Sequence, residues 1–470
     1  MTGLAPAVHH LLLRAAEVFQ DVPRARAWLH GQLERWEEPL RLAIAGGRQT
    51  GKSTLVNALI GERLCPPGPG DAPVWIHGAP TAEAIMYPSG GPPVSGLIRR
   101  EGDRSRVDPD AWPDGPLDRV DLRWPARSLR GLTLLDAVAP DDAEPTDARV
   151  FAAADAVLYL VRQAALPEIA PVRAACDRAP TGAGAVGSMV VLARADEVGG
   201  GRIDALTSAK QVARGHRDRV EVRQVCQDVI AVAGLLALAG RTMTELDFDS
   251  LCQVAAVPRA DLEPALLSAD RFAGASFPAP LPPEVRAELL DRYGLFGVRL
   301  AVTLIRTGST SKAALAAELV RRSGIGDLRE SIGRLFTDRA DVLKARTALA
   351  ALGPLLRTET GPGANELAAE LERIVAGAHE FRELRTLAAL DSMAFTEELA
   401  DEVRRLIGGF GVAPVIRLGL HEDATDSDLE AEAWDMLHRW RENAERPDWT
   451  VAQRQAAHVV VRTCEELAMR

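Results

Sequence analysis

Residues 40–54 read Leu-Arg-Leu-Ala-Ile-Ala-Gly-Gly-Arg-Gln-Thr-Gly-Lys-Ser-Thr, which places Gly46, Gly51, Lys52 and Ser53 at the spacing of a phosphate-binding loop. Glycines let such a loop curl until its amides, here those of Gly46, Gly47, Arg48, Gln49, Thr50 and Gly51, point inward at phosphate oxygens. Lys52 then reaches the β- and γ-phosphates, and Ser53 offers a hard oxygen to Mg²⁺. Thr54 follows in the first turn of the helix whose positive N-terminus faces the anion. The context fits, because an apolar strand precedes the loop and an amphipathic helix follows it.

Two acids further along extend the pattern. Residues 132–136 form an apolar run ending in Asp136, suited to hold a Mg²⁺-bound water opposite Ser53. Residues 190–196 (VVLARAD) form another, ending in Asp196. A carboxylate there accepts hydrogen bonds from both N1–H and the exocyclic amine of guanine, a donor pair that adenine lacks. The stem of Arg194 can lie along the base. Asp196 therefore argues for GTP or GDP over ATP, with an unrelated P-loop ATPase as the outside alternative. The chain has only four lysines, Lys52, Lys210, Lys312 and Lys344, so a lysine inside the phosphate-loop pattern carries more weight than usual.

A scaffold must bring these residues together. From residue 40 to about 257 short apolar runs alternate with helical stretches. Strands are expected at 40–45, 74–76, 83–87, 120–123, 133–136, 156–161, 189–193 and 229–232, and helices at 53–61, 167–178 and 203–216. This alternation predicts a three-layer α/β P-loop GTPase domain with a mostly parallel sheet. Residues 7–38 read as helical, and after residue 258 helical periodicity takes over at 283–306, 312–322, 328–356, 366–390, 395–406, 429–443 and 451–467. The expected organisation is an N-terminal helical segment (1–38), the P-loop domain (39–257) and a helical trunk (258–470), with one bundle formed from both chain ends.

Composition narrows the function. The chain has 470 residues, 47% hydrophobic and 26% charged, ordinary for a protein that buries a core. A net charge of −11 supplies no global attraction to nucleic acid or to an anionic membrane. The cysteines, Cys65, Cys176, Cys226, Cys252 and Cys464, show no paired or metal-ligand spacing and read as thiols of a reducing compartment. No signal peptide is evident, and the longest apolar stretch, 229–240, falls short of the roughly 20 residues a membrane span needs. A cytoplasmic protein, peripheral at the inner face of the cell membrane at most, is expected. Two segments are weighed as lipid contacts, 405–420 (RLIGGFGVAPVIRLGL) and 214–223 (RGHRDRVEVR). The first reads as a packed helix connection and the second as a solvated helix end.

The run EPLRLAIAGGRQTGKSTLVNALIGERL (38–64) resembles the start of a bacterial dynamin-like GTPase, in the actinobacterial branch of the isoniazid-inducible proteins. Further matches are ARADEVGGGRIDAL (193–206), VIAVAGLLALAG (229–240), YGLFGVRLA (293–301), RRSGIGDLRE (321–330) and HEFRELRTLAAL (379–390), so the likeness spans nearly the whole chain. It implies a GTPase head on a helical trunk, acting at membranes through nucleotide-linked self-association or pairing with a paralogous dynamin-like protein. It also exposes departures. The family's first-switch threonine falls near Pro73, leaving Thr81 as the nearest substitute for a catalytic hydroxyl. The family's Asp-Thr-Pro-Gly becomes Asp136-Ala137-Val138-Ala139, and the base-reading motif opens on Ala193. The phosphate cradle is intact while the switch elements are eroded, which predicts nucleotide binding with slow hydrolysis, or a catalytically weakened partner of an active relative.

Overall fold

The computed structural model describes residues 3–64, 72–102, 104–108, 111–136, 151–162, 168–177, 184–359 and 361–469. Twelve strands lie within them: β1 (Leu40–Gly46), β2 (Arg63–Leu64), β3 (Val74–Gly78), β4 (Glu83–Pro88), β5 (Val94–Gly96), β6 (Ile98–Glu101), β7 (Arg104–Val107), β8 (Leu117–Trp124), β9 (Leu132–Asp136), β10 (Ala156–Val161), β11 (Ser188–Ala193) and β12 (Val229–Val232). Nine of them form one sheet in the order β12-β11-β10-β1-β9-β3-β8-β4-β5. From β12 to β9 every neighbour is parallel. All side chains of β10, β11 and β12 are buried, as expected where helices cover both faces. The fold is thus the P-loop type of α/β domain joined to a helical trunk.

Beyond β9 the sheet turns antiparallel. β3 pairs antiparallel with β9, so Val74 lies opposite Asp136 and the end of β3 points away from the phosphate-loop edge. β8 runs parallel to β3, and β4 antiparallel to β8. β2, β7 and β6 form a separate three-stranded sheet that the hydrophobic pattern does not reveal. Its arginines Arg99, Arg100, Arg104 and Arg106 are exposed and Arg63 is half-buried, while Ser105 and Val107 are its buried residues in β7.

Two apolar cores flank the main sheet. One joins Leu42, Ile44 and Leu134 to the N-terminal helix Leu4–Val18 and to helices Ile325–Leu335 and Ala340–Thr358. The other joins Val157, Val190 and Ala231 to helices Glu245–Ala256 and Pro283–Arg306. A third cluster, built around Trp440 and Trp449, belongs to helices Glu397–Leu406, Asp426–Ala444 and Val451–Ala468. Helix Leu4–Val18 packs on Pro362–Gly377, so both chain ends contribute to one bundle.

Four helices read as continuous are broken, one of them (283–306) by a kink at Gly294, where φ is +63°. Residues 7–38 divide into Leu4–Val18 and Pro23–Glu37, with Pro23 at the first helical position of the second. Residues 328–356 divide at a 3₁₀ turn, Thr337–Arg339, where the buried Arg339 donates a hydrogen bond to the Gly408 carbonyl. Residues 366–390 divide after Gly377, where Ala378 is extended. Asp155, 2% exposed, pins the floor of the sheet to both helical arms. Its carboxylate accepts from the Arg41 amide at 3.0 Å and from Arg35 at 3.1 Å, and its carbonyl accepts from Arg346 at 2.9 Å.

Candidate nucleotide site

The loop from Gly46 to Gly51 leaves β1 at the end where β9 and β10 also finish, so three parallel strands deliver their C-termini to one edge. Gly46 sits at φ +136°, and a Cβ there would lie 2.4 Å from the Leu160 carbonyl oxygen, so only glycine fits against β10. Gly51 caps helix Lys52–Ile60 in the left-handed conformation at φ +93°. Gln49, at φ 56°, shares that region without being glycine, a conformation uncommon away from functional loops. Gly47, Arg48 and Gln49 are exposed at the apex, while Thr50 is buried with its hydroxyl donating to the Gly47 carbonyl at 2.9 Å. Lys52 Nζ lies over the loop, donating to the carbonyls of Gly46 and Gly47 at 3.0 Å each. Ser53 is exposed, and Thr54 half-buried, on the first turn of the helix.

Asp136 ends β9 beside this loop, in register with Ile44 of β1. Burial raises its carboxyl above the ordinary carboxylate range, while hydrogen bonding with Ser53 and the charge of Lys52 pull the other way. Its Oδ1 is buried and has no hydrogen-bond partner. A buried carboxylate oxygen without a partner, next to a serine hydroxyl, fits Mg²⁺, which takes one or two protein oxygens and completes its shell with water and phosphate. Among the described residues no cluster of three or more His, Cys, Asp or Glu could hold a metal by itself. Ser53 and Asp136 together offer two oxygens that could hold such an ion.

Asp196 follows β11 in a short 3₁₀ turn, Ala195–Gly200. Burial raises its carboxyl, Glu197 adds to the rise, and a backbone hydrogen bond and Arg194 oppose it. Arg194 is left-handed at φ 52° and donates to Glu197 Oε1 at 2.6 Å, while Arg162 reaches Glu197 Oε2 at 3.0 Å. A cavity of about 150 Å³ unites the two ends of the pattern, lined by Thr50, Gly51 and Thr54 on one side and by Arg194 and Asp196 on the other.

The same cavity is walled by residues that motif reading passes over. Val232 ends β12, and Gly234 and Leu235 open helix Gly234–Arg241, with Glu197 opposite. Their signal is the apolar run ending in Ala233-Gly234, at the same sheet edge as Ala193. Thr81 is not brought to the site. It is exposed and lies beyond the end of β3, between Gly78 and Glu83, at the sheet edge opposite Asp136. Pro73, in contrast, stands just before Val74 and beside Asp136, its carbonyl accepting from the Val120 amide at 3.0 Å. Ala137, Val138 and Ala139 lie outside the described residues, as do residues 65–71 of the proline- and glycine-rich stretch CPPGPGDAP (65–73) that leads to Pro73.

The segment at 405–420 is a packed connection. Arg405 donates to the Arg417 carbonyl at 2.7 Å, Arg417 pairs with Glu383 at 2.8 Å, and Leu406, Ile407 and Leu418 are buried. Phe410 and Ile416 retain partial exposure. No helix among the described residues is long and apolar enough to cross a membrane.

No protein-family model matches the chain. Compared with individual proteins, the chain is 34% identical over 486 residues to the isoniazid-induced protein IniC of Mycobacterium tuberculosis, in both strain CDC 1551 / Oshkosh and strain H37Rv. The match covers 98% of this chain and 97% of that protein. Two solved structures described as an oligomerised bacterial dynamin pair, in work on the long-range sensing and tethering of membranes, align over 99% of this chain at 11% identity. They cover 75% and 74% of those chains, with TM-scores of 0.32 and 0.33. The identity to IniC, held across almost the full length of both chains, shows that this chain belongs to the bacterial dynamin-like family, in the isoniazid-induced branch.

Proposed function

We propose that the chain is a guanine-nucleotide-binding dynamin-like protein that works peripherally at the inner face of the cell membrane, through nucleotide-linked association with copies of itself or with a paralogue. The observation that carries this reading is the single cavity in which the phosphate loop and Asp196 meet. Loop amides and Lys52 would bind the phosphates, and Asp196 would accept the two donors on the guanine edge. Ser53 and Asp136 would hold Mg²⁺, which when bound offsets negative charge on the phosphates. In this reading residues 39–257 form the nucleotide-binding head, 258–470 the trunk, and 1–38 a helical segment that packs with the trunk.

A second reading, a catalytically weakened partner of an active dynamin-like GTPase, is favoured by Pro73 and Thr81. Proline at the entry to β3 has neither a hydroxyl nor an amide hydrogen to offer an attacking water. Thr81 is at the wrong edge of the sheet to replace it. Binding needs only the cradle, whereas phosphoryl transfer also needs an oriented nucleophile. Tight GDP and GTP binding with negligible phosphate release in a single-turnover assay supports the weakened partner. Turnover at the pace of a relative with intact switch residues would reject it, and absence of guanine-nucleotide binding would reject both readings.

A further inference from the structure

The helix that carries the phosphate loop is held at its far end by residues from far down the chain. Helix Lys52–Ile60 carries the phosphate loop at its N-terminus, and two arginines meet its C-terminal carbonyls. Arg329 Nη2 donates to the Leu59 carbonyl at 2.6 Å and lies 3.5 Å from that of Ala58, and Arg241 Nη2 donates to the Ile60 carbonyl at 3.3 Å. Cations at a helix C-terminus oppose its negative dipole end and satisfy carbonyls that have no partner within the helix. Arg329 belongs to helix Ile325–Leu335, some 270 residues from the carbonyl it caps.

The base end of the cavity is held by the same part of the chain. The Ala233 amide donates to the Ser323 carbonyl at 2.9 Å. Gly324 sits at φ +81°, where a Cβ would lie 2.3 Å from the Ala231 carbonyl oxygen. Val232 and Gly234, interleaved with these residues, line the cavity. A third tie joins Lys210 to Asp327 at 2.9 Å. One helix pair, Lys312–Arg322 and Ile325–Leu335, therefore touches the far end of the helix that carries the phosphate loop through Arg329 and the rear of the base wall through Ser323–Gly324.

We infer that Arg329 is a positioning residue for the phosphate loop, and that helices Lys312–Arg322 and Ile325–Leu335 sense nucleotide occupancy through it. The inference rests on the nucleotide reading above. Its physical content is reciprocal coupling: if packing of these helices holds the loop in its binding shape, bound nucleotide must tighten their packing by the same factor.

The test combines titration with fluorescent GDP and hydrogen exchange of the full chain. Arg329→Ala is expected to weaken GDP binding about tenfold, a coupling of ordinary size. Arg329→Lys, which keeps a cation at the carbonyls, should fall between that variant and wild type. GDP should slow amide exchange across 324–335 in wild type and do so less in Arg329→Ala. If Arg329→Ala does not fold, exchange in the wild-type protein decides, because protection of 324–335 by GDP supports the coupling and unchanged exchange overturns it. GDP binding that is unaffected in Arg329→Ala also overturns it, leaving the nucleotide reading intact. Failure of wild type to bind GDP overturns both.

Discussion

Substituting Gly46 with alanine should damage the protein far more than the same change one residue later. Gly46 ends β1 in register with Leu160 of β10. An alanine Cβ would lie 2.4 Å from the Leu160 oxygen and 3.1 Å from its carbonyl carbon, where ordinary contact begins at 3.4 Å. Relief demands about an ångström of movement between two hydrogen-bonded strands. Overpacking of this kind costs about 1–3 kcal/mol. A side chain at φ +136° adds backbone strain of about 1–3 kcal/mol. The sum, about 2–6 kcal/mol, is a large share of a stability of about 5–15 kcal/mol. At Gly47 an added Cβ meets only Thr50 Cγ2, at 3.7 Å, and Gly47→Ala should stay within about 0.5 kcal/mol of wild type, as open surface changes do. Urea denaturation followed by tryptophan fluorescence compares the three proteins. A Gly46→Ala variant as stable as Gly47→Ala would refute the claim that β10 leaves no room for a side chain behind the loop.

Further outcomes follow from the site and from the trunk. Asp196→Asn replaces an acceptor of two guanine hydrogen bonds with a group that also donates; at about 1.5–3 kcal/mol per charged bond, GDP affinity should fall about 100-fold in a competition assay. Burial raises the Asp136 carboxyl, so its Mg²⁺-holding form is lost sooner as pH falls than for an ordinary aspartate; the Mg²⁺-dependent part of nucleotide affinity should therefore decline on acidification earlier than an unshifted carboxylate would give, measured by titration with and without chelator. Burial works against the charged form of Glu383, but the contacts of His379 and Arg417 prevail and hold its carboxyl at about 2. A depressed carboxyl contributes stability above its unfolded value and loses it below, so chemical denaturation should show this contribution vanishing between about pH 5 and pH 2, and absent in Glu383→Gln. Burial pushes the thiols of Cys226 and Cys464 up to about 12, and thiol labelling of the folded protein should spare both.

The parallel half of the sheet was legible because its strands are buried on both faces and read as unbroken apolar runs, β10 and β11 most plainly. The phosphate loop was legible for a different reason, since its steric demands at Gly46 and Gly51 leave few residue choices. The β2-β7-β6 sheet was hidden by its arginines, which replace the apolar alternation that marks a strand. The break at Thr337–Arg339 was hidden too. No glycine or proline lies within the turn, and the contact found there, the Arg339 hydrogen bond to Gly408, spans 69 residues. Asp136 and Asp196 stand at strand ends, as the sequence pattern expects, but the β12 lining of the cavity had no such mark, because Val232 and Gly234 carry no chemistry of their own. Thr81 shows the opposite error. Its hydroxyl suited the missing switch residue, yet the antiparallel course of β3 carries it to the far edge of the sheet.

Calorimetric titration of the wild-type chain and Lys52→Ala with GDP and with ADP, in the presence of Mg²⁺, tests the central claim most directly. Lys52 Nζ now spends its hydrogen bonds on the carbonyls of Gly46 and Gly47, and its loss should remove a charged phosphate contact of about 1.5–3 kcal/mol without unfolding the helix. The account predicts that wild type binds GDP at least about tenfold more tightly than ADP, a gap of about 1.4 kcal/mol, and that Lys52→Ala loses most of the GDP affinity. Equal binding of the two nucleotides, or GDP affinity unchanged by Lys52→Ala, would contradict it.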